Sequence, residues 1–294
     1  MLWGLFPIYI KQVQQVPALE VVAHRSAWSL VLMAVLLLAL RRLAWLPALL
    51  RQPRVLAAFG CSALLLSANW LLYVWAVNHG HLLDASLGYF INPLMNVMLG
   101  YAVLHERPRP VQWAAVALAA AGVLWLALGA GHVPWVSLTL AASFALYGLL
   151  RKTATLGALE GLALETLLQA PLAVGYLLWL AAQGQGQFAQ GDARLDLLLV
   201  LGGPFTAVPL LLFAYGARRV TLATLGLLQY LGPTIQFMLG VWVYHEAFSW
   251  QRGIGFMLIW AALLVYSVES WRLLRRARRA TLLAPLPGSM IDRP

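Results

Sequence analysis

Two charged side chains stand where charge is costly. Arg25 and Glu165 each lie about one helical turn inside a long apolar run, and ionisable groups at that depth serve substrate paths, relays or gates by default. Amides and aromatics accompany them. Asn92 and Asn96 are spaced i,i+4 and share one helix face, as do Asn69 and Tyr73 in the preceding run. Gln229 and Gln236 also share a face, beside Tyr230, and Trp70 and Trp75 flank the first group. Such faces can line a polar substrate pathway. They can equally hold a bundle together through interhelical hydrogen bonds, typically under ~2 kcal/mol each. The pathway candidates are therefore Arg25, Asn69, Trp70, Tyr73, Trp75, Asn92, Asn96, Glu165, Gln229 and Tyr230. Asp84 opens another apolar run, at the same end as Arg25, and makes an Arg25–Asp84 external ion pair the expected partnership. For Glu165, which shares a face with Gln169, the available cations are Arg107, Arg151 and Lys152.

The residues that would point to bond-making chemistry are missing from the sequence. The six histidines occur near the ends of apolar runs without HExxH spacing, and His79-x-His81 alone is weak. No Walker A loop or GxSxG elbow is present. No catalytic residue, metal site or cofactor is expected, and ATP-driven transport by this chain alone is excluded. A polytopic membrane enzyme acting on a lipid would need clustered acid/base or metal ligands at one interface, and the sequence offers none. That enzyme and a channel are the competing readings to a solute carrier.

What must position these residues is a bundle of membrane helices. Apolar residues make up 62% of the 294 positions and charged residues 10%, with a mean hydropathy of +0.78. Positions 110–150 and 220–245 carry no Asp, Glu, Lys or Arg, and 55–105 carry only Asp84. Runs of about 20 apolar residues match a hydrocarbon core of about 30 Å. Continuous Leu- and Ala-rich runs, not alternating ones, select helices over a barrel. Spans are expected at 21–40, 55–77, 83–104, 111–129, 134–150, 161–182, 195–215, 221–243 and 252–270, plus an incomplete one at 1–10. The net charge of +10 does not indicate a nucleic-acid partner, because the charges sit in short connections. Sixteen of the twenty basic residues fall at 41–54, 107–109, 151–152, 218–219 and in the tail after Trp271. That bias places these segments and both termini in the cytoplasm, with residues 1–10 counted as a span. The basic tail is expected to be disordered, near anionic headgroups. Cys61 is the only cysteine, so no disulfide framework exists. Residues 1–10 lack a basic n-region and a cleavage site.

The chain also repeats. PLMNVMLGYAVLHE at 93–106 and PTIQFMLGVWVYHE at 233–246 share seven of fourteen positions at an offset of 140. Residues 1–130 and 131–270 therefore read as two five-span copies, followed by a basic cytoplasmic tail at 271–294. Five is odd, so the copies cross the bilayer in opposite senses, as in many secondary transporters; a duplication kept for packing alone is the other account. Pro93 and Pro233 occupy equivalent positions, with Gly88 and Gly232 nearby, and suit paired hinges. A static kink is the alternative. Arg25 and Glu165 are also 140 apart, so inversion puts them near opposite faces, about 20 Å from each other. They occupy separate vestibules and do not pair. The outer spans at 111–129 and 252–270 serve either as scaffold or as a homodimer face. The offset also predicts that the first span begins before Met1, so several of its residues are expected to be missing.

Long motifs carry a resemblance. WGLFPIY at 3–9, HRSAWS at 24–29, ANWLLYVWAVN at 68–78, ASLGYFINPL at 85–94, YGLLRK at 147–152 and LGLLQYLGPT at 225–234 resemble the EamA-type drug/metabolite transporter superfamily. The branch they resemble is RarD, linked by name to chloramphenicol sensitivity. The resemblance runs over nearly the whole chain, departing at the short amino terminus. It implies ten transmembrane helices in two inverted five-helix repeats and a multi-pass permease of the bacterial inner membrane. It does not fix the substrate. The expected function is a secondary carrier or facilitator of small organic solutes, working outward. Proton coupling would run through Glu165 or Asp84, and uncoupled facilitated diffusion is the alternative.

Overall fold

The computed structural model describes residues 2–49, 51–78, 82–128, 135–243 and 250–283. The side chains at 48, 74, 77–78, 82–86, 236–237, 240–241, 251–252, 270, 273–274 and 276–283 lie outside that description. Every regular element among the described residues is helical. A 3₁₀ turn (Leu2–Leu5) leads into α1 (Phe6–Gln12), followed by α2 (Ala18–Ala39), the short α3 (Trp45–Leu49), α4 (Pro53–Asn78), α5 (Leu82–Ala102) and α6 (Pro110–Leu128). Then come α7 (Trp135–Thr153), α8 (Ala158–Ala182), α9 (Ala193–Ala217), α10 (Leu222–Gln229), α11 (Leu231–Met238) and α12 (Trp250–Leu283).

Five of these helices, α2, α4, α6, α8 and α9, are long and apolar enough to cross a bilayer. The distribution of polarity is that of a membrane protein. Leu172, Leu128, Trp242 and Trp250 are highly exposed, while Arg151, Glu165, Asn96 and Glu20 are buried. Lipid tolerates apolar side chains outside, whereas ions must find partners inside. The chain is a multi-pass membrane protein.

Contacts between connections define two ends of the bundle. At the arginine-rich end, Arg42 lies 3.4 Å from Glu160, and Arg218 donates to the carbonyls of Ala154 and Leu156. Lys152 lies 3.5 Å from Glu106. At the opposite end, Glu20 accepts the Gln187 amide at 2.7 Å and Arg194 donates to Gln12 at 2.7 Å. Inside, α2 packs along α8 and α9, α5 along α7 and α10, and α6 along α12. Small residues permit these approaches, as expected in bilayers. A Cβ on Gly226 would lie 2.6 Å from the Pro93 carbonyl oxygen, and one on Gly122 would lie 2.8 Å from that of Gly255.

The two equivalent prolines behave differently. Helix α5 continues through Pro93, supported by α7 on one side and α10 on the other. The matching run breaks at Tyr230. Pro233 has no N–H to return to the Gln229 carbonyl, and its ring crowds that oxygen. The Tyr230 N–H instead makes a tighter turn onto Leu227 O at 3.2 Å, and Thr234 N–H resumes the helix on Tyr230 O at 3.1 Å. A π-helical turn follows at Leu239–Val243.

The last helix corrects an expectation. The tail after Trp271 is expected to be disordered, but α12 carries its first part as helix to Leu283, and 284–294 lie outside the described residues. Its Leu, Arg and Ala content favours helix over coil, and the Arg275 guanidinium rests 3.6 Å from the Trp271 ring.

Candidate functional site

Near the end where Glu20 holds the Gln187 amide, α2 carries Arg25 into a pocket formed with α1, α4, α5 and α9. Arg25 is 9% exposed. Its Nε donates to Thr206 Oγ1 at 2.7 Å, and Thr206 donates onward to the Gly202 carbonyl at 2.8 Å. Phe6 lies 4.6 Å and Trp70 4.9 Å from the guanidinium carbon, close enough for cation–π attraction. The hydroxyls of Tyr9, Tyr73 and Tyr89 are its electrostatic neighbours. Among the described residues no carboxylate comes within ion-pair distance of it. The Asp84 side chain, and with it the expected Arg25–Asp84 pair, lies outside the described residues.

Glycine makes this pocket possible. A Cβ on Gly202 would sit 2.5 Å from Tyr9 Oη and 3.0 Å from Arg25 Cγ. The next residue, Gly203, presses directly on the Trp28 backbone, so α9 comes close enough to α2 for Thr206 to reach the guanidinium.

Glu165 occupies the other pocket, towards the arginine-rich end, and is fully buried. Of the three cations available from sequence, the structure supplies Arg151, whose Nη1 lies 3.7 Å from Glu165 Oε1. Ser62 Oγ donates to the same oxygen in a short hydrogen bond. Tyr147 Oη donates to Oε2 at 3.4 Å. Arg151 is held in turn by the Ala158 carbonyl at 3.0 Å and by the Phe59 ring, 5.4 Å away. One turn along α8, Gln169 donates to the Ala63 carbonyl at 3.2 Å. A cleft of about 200 Å³ reaches this cluster, lined by Arg54, Phe59, Ser62, Arg151 and Thr155 among others. Ser62 and Arg151 line this cleft and both contact Glu165, so the buried acid lies one side chain behind its wall.

The amides gather elsewhere. Asn96 donates to Asn92 Oδ1 at 3.1 Å and to Gln229 Oε1, while Asn92 donates to the Ala141 carbonyl at 3.0 Å. This cluster ties α5 to α7 and α10. Asn69 likewise donates to Leu140 O and Ser143 Oγ at 2.9 and 2.8 Å, joining α4 to α7. Trp75 stacks near Trp135 at 5.5 Å, and buried Tyr230 packs at the α10–α11 break without a hydroxyl partner. The structure thus groups Arg25, Trp70, Tyr73 and Tyr89 apart from Glu165, and both apart from the amides. Of the hinge residues, Gly88 packs against the Ser137 carbonyl, whereas Gly232 faces open space. The Gln236 side chain lies outside the described residues.

Reading the sequence missed Thr206, Phe6, Tyr9, Ser62 and the role of Glu106. Glu106 accepts the amides of Leu222 and Ala223 at 2.9 and 3.3 Å, so a carboxylate from the α5–α6 connection caps α10, where helix polarity favours it. The signal for one pair was present: the 140-residue offset carries Ser62 onto Gly202, one turn before Thr206 on the same helix face.

Comparison with known proteins agrees with this architecture. Residues 1–128 match the EamA-like transporter family. The chain is 49% identical to Protein RarD of Streptomyces exfoliatus, over 97% of this chain and 90% of that protein. It is 46% identical to an uncharacterized transporter of Pseudomonas aeruginosa, over 94% and 92% respectively. A solved crystal structure shares the fold with a TM-score of 0.69 at 21% identity, covering 92% of this chain and 94% of that one. A membrane bundle with two buried charged pockets, and relatives this similar along nearly the whole chain, lead to one assignment: the chain belongs to the EamA-like transporter family, in its RarD branch.

Proposed function

We propose that this protein is a secondary carrier that moves small organic solutes outward across the bacterial inner membrane by alternating access. Both termini lie in the cytoplasm, and the arginine-rich end faces inward. The observation that carries the reading is the placement of Arg25 and Glu165. These two charges, 140 positions apart, are buried separately, towards opposite ends of the bundle, the placement that two alternating vestibules require. The helix contacts support two inverted five-helix copies, 1–130 and 131–270. Exchanging the copies turns the α2–α9 contact into α8–α4, and α5–α7 into the contact between α11 and the Leu2–Leu5 turn. It returns α2–α8, α5–α10 and α6–α12 to themselves. Inverted copies of this kind work by exchanging conformations around a shared path.

The test is solute flux in proteoliposomes. Arg25→Ala and Glu165→Gln, each shown to insert normally, should cut the rate by roughly tenfold or more, the scale of a lost charged contact. Unchanged flux in both variants counts against the carrier reading. Single-channel conductance faster than any carrier cycle would make the protein a channel. Collapse of the pH gradient should slow a proton-coupled carrier, and indifference to it would mark facilitated diffusion.

A further inference from the structure

The Arg25 pocket holds one more piece of information. Removing a charge from water is costly unless a partner compensates it. Arg25 is nine-tenths buried, yet among the described residues its hydrogen bond comes from Nε alone, to a neutral hydroxyl. Phe6 and Trp70 pack against the guanidinium, which leaves the paired Nη groups as its free recognition edge. That edge is the fork that matches a carboxylate with two parallel hydrogen bonds.

A second, independent group points into the same place. Tyr9 is 6% exposed and its hydroxyl has no hydrogen-bond partner among the described residues. Buried hydroxyls are rarely left so. A Cβ on Gly202 would press on both Tyr9 Oη and the Arg25 stem, so the orphaned hydroxyl and the buried cation lie side by side against α9. Around the cation stand Trp70, Tyr73 and Tyr89, with Tyr73 and Tyr89 in edge-on contact at 6.0 Å. Tyr89 is 45% exposed, so the aromatic pair leaves one ring face accessible to a flat apolar group.

We propose that this pocket binds the carboxylate of a small organic acid bearing a flat apolar group, with Arg25 and Tyr9 holding the carboxylate and Trp70, Tyr73 and Tyr89 the body. The assignment rests on the carrier reading and narrows it to organic anions. The Glu165 pocket argues the same way. Its acid already has Arg151 and Ser62, so among the described residues the buried charge without an opposite partner is the cation Arg25.

The experiment is a binding titration of the full chain in lipid nanodiscs, followed by tryptophan fluorescence, for which Trp70 is an adjacent reporter. Phenylacetate is the probe, with phenylacetamide, phenethylamine and acetate as neutral, cationic and body-less counterparts. Phenylacetate should bind saturably, and the amide and amine should bind roughly tenfold more weakly or worse, because a site built for a polar group rejects its isostere. Acetate should also be weaker. Arg25→Gln should reduce phenylacetate to the level of the amide, Arg25→Lys should recover part of the loss, and Tyr9→Phe should weaken it about threefold or more. Should Arg25→Gln fail to insert, the wild-type ligand series and Tyr9→Phe decide the matter. The assignment is overturned by no saturable phenylacetate binding, by equal affinity for acid and amide, or by affinity indifferent to both Arg25 and Tyr9. Binding without flux would count against the carrier reading alone. Flux of neutral or cationic solutes that Arg25→Gln leaves unchanged would remove this assignment and leave the carrier standing.

Discussion

Arg25 and Glu165 stand 140 positions apart in a chain that repeats at that interval, yet their surroundings treat charge in opposite ways. Glu165 is supplied by the chain itself, with a guanidinium at 3.7 Å and a serine donor on the same oxygen. Arg25 receives one neutral hydroxyl and two aromatic rings. The divergence concentrates at a single pair of equivalent positions. Ser62 fills its place with a hydrogen bond to the acid, whereas Gly202 lets the Tyr9 hydroxyl and the Arg25 stem close against α9. At equivalent positions in the sequence, one side chain supplies the buried charge with a partner and the other supplies none.

The largest expected effect comes from removing the cation at each pocket. Arg151→Ala strands a fully buried carboxylate, which should cost about 3–5 kcal/mol of stability. Arg25→Ala removes a charge that no acid in the described residues pairs with, so its stability loss should be distinctly smaller and confined to lost packing. Thermal or denaturant unfolding in detergent micelles measures both. Arg151→Leu combined with Glu165→Leu should recover most of the loss seen for Arg151→Ala. Equal losses for the two single variants would break the comparison, because Arg25 would then be completing a structural pair.

Next come the two equivalent small residues. Ser62→Ala deletes a hydrogen bond to an ion and should cost about 1.5–3 kcal/mol. Gly202→Ala adds a methyl 2.5 Å from Tyr9 Oη and 3.0 Å from Arg25 Cγ, and overpacking of this kind costs about 1–3 kcal/mol. The costs overlap, so stability does not distinguish them. Phenylacetate affinity does. Gly202→Ala displaces the Tyr9 hydroxyl and the Arg25 stem and should abolish saturation, while Ser62→Ala should leave it intact. A Gly202→Ala protein that binds normally would move the ligand to another place.

The coarse architecture was legible because bilayers constrain sequence strongly. Runs without charge mark membrane-spanning helices. Both buried charges and the cation nearest Glu165 were also visible, since Arg151 lies in a short list fixed by chain direction. What stayed hidden depends on side chains that are ordinary by themselves. Thr206 and Tyr9 gain meaning only when α9 and α1 close on α2, and that approach depends on Gly202 and Gly203. The break at Tyr230 was hidden for a related reason. Pro93 and Pro233 are equivalent in sequence, and only the neighbours of α5 keep its helix continuous. Spacing leaves any single Asn open between lining and packing and favours lining for the cluster; the structure joins Asn96 to Asn92 and Gln229, and Asn92 to the Ala141 carbonyl.

The smallest expected effect sharpens the Glu165 side. Tyr147 Oη is 3.4 Å from Oε2, at the outer limit for an O–H donor. Its ring is fully buried between Phe144 and Phe213, with centroids 5.5 and 6.0 Å away, a setting that accepts phenylalanine without repacking. Tyr147→Phe should therefore cost no more than about 0.5 kcal/mol, well below Ser62→Ala. If the two variants cost the same, Glu165 is held evenly on both oxygens, and the acid is a closed structural knot. If Tyr147→Phe is nearly silent, one carboxylate oxygen is loosely held within reach of the cleft. Such an oxygen can take up and release a proton while Arg151 and Ser62 keep the acid in place.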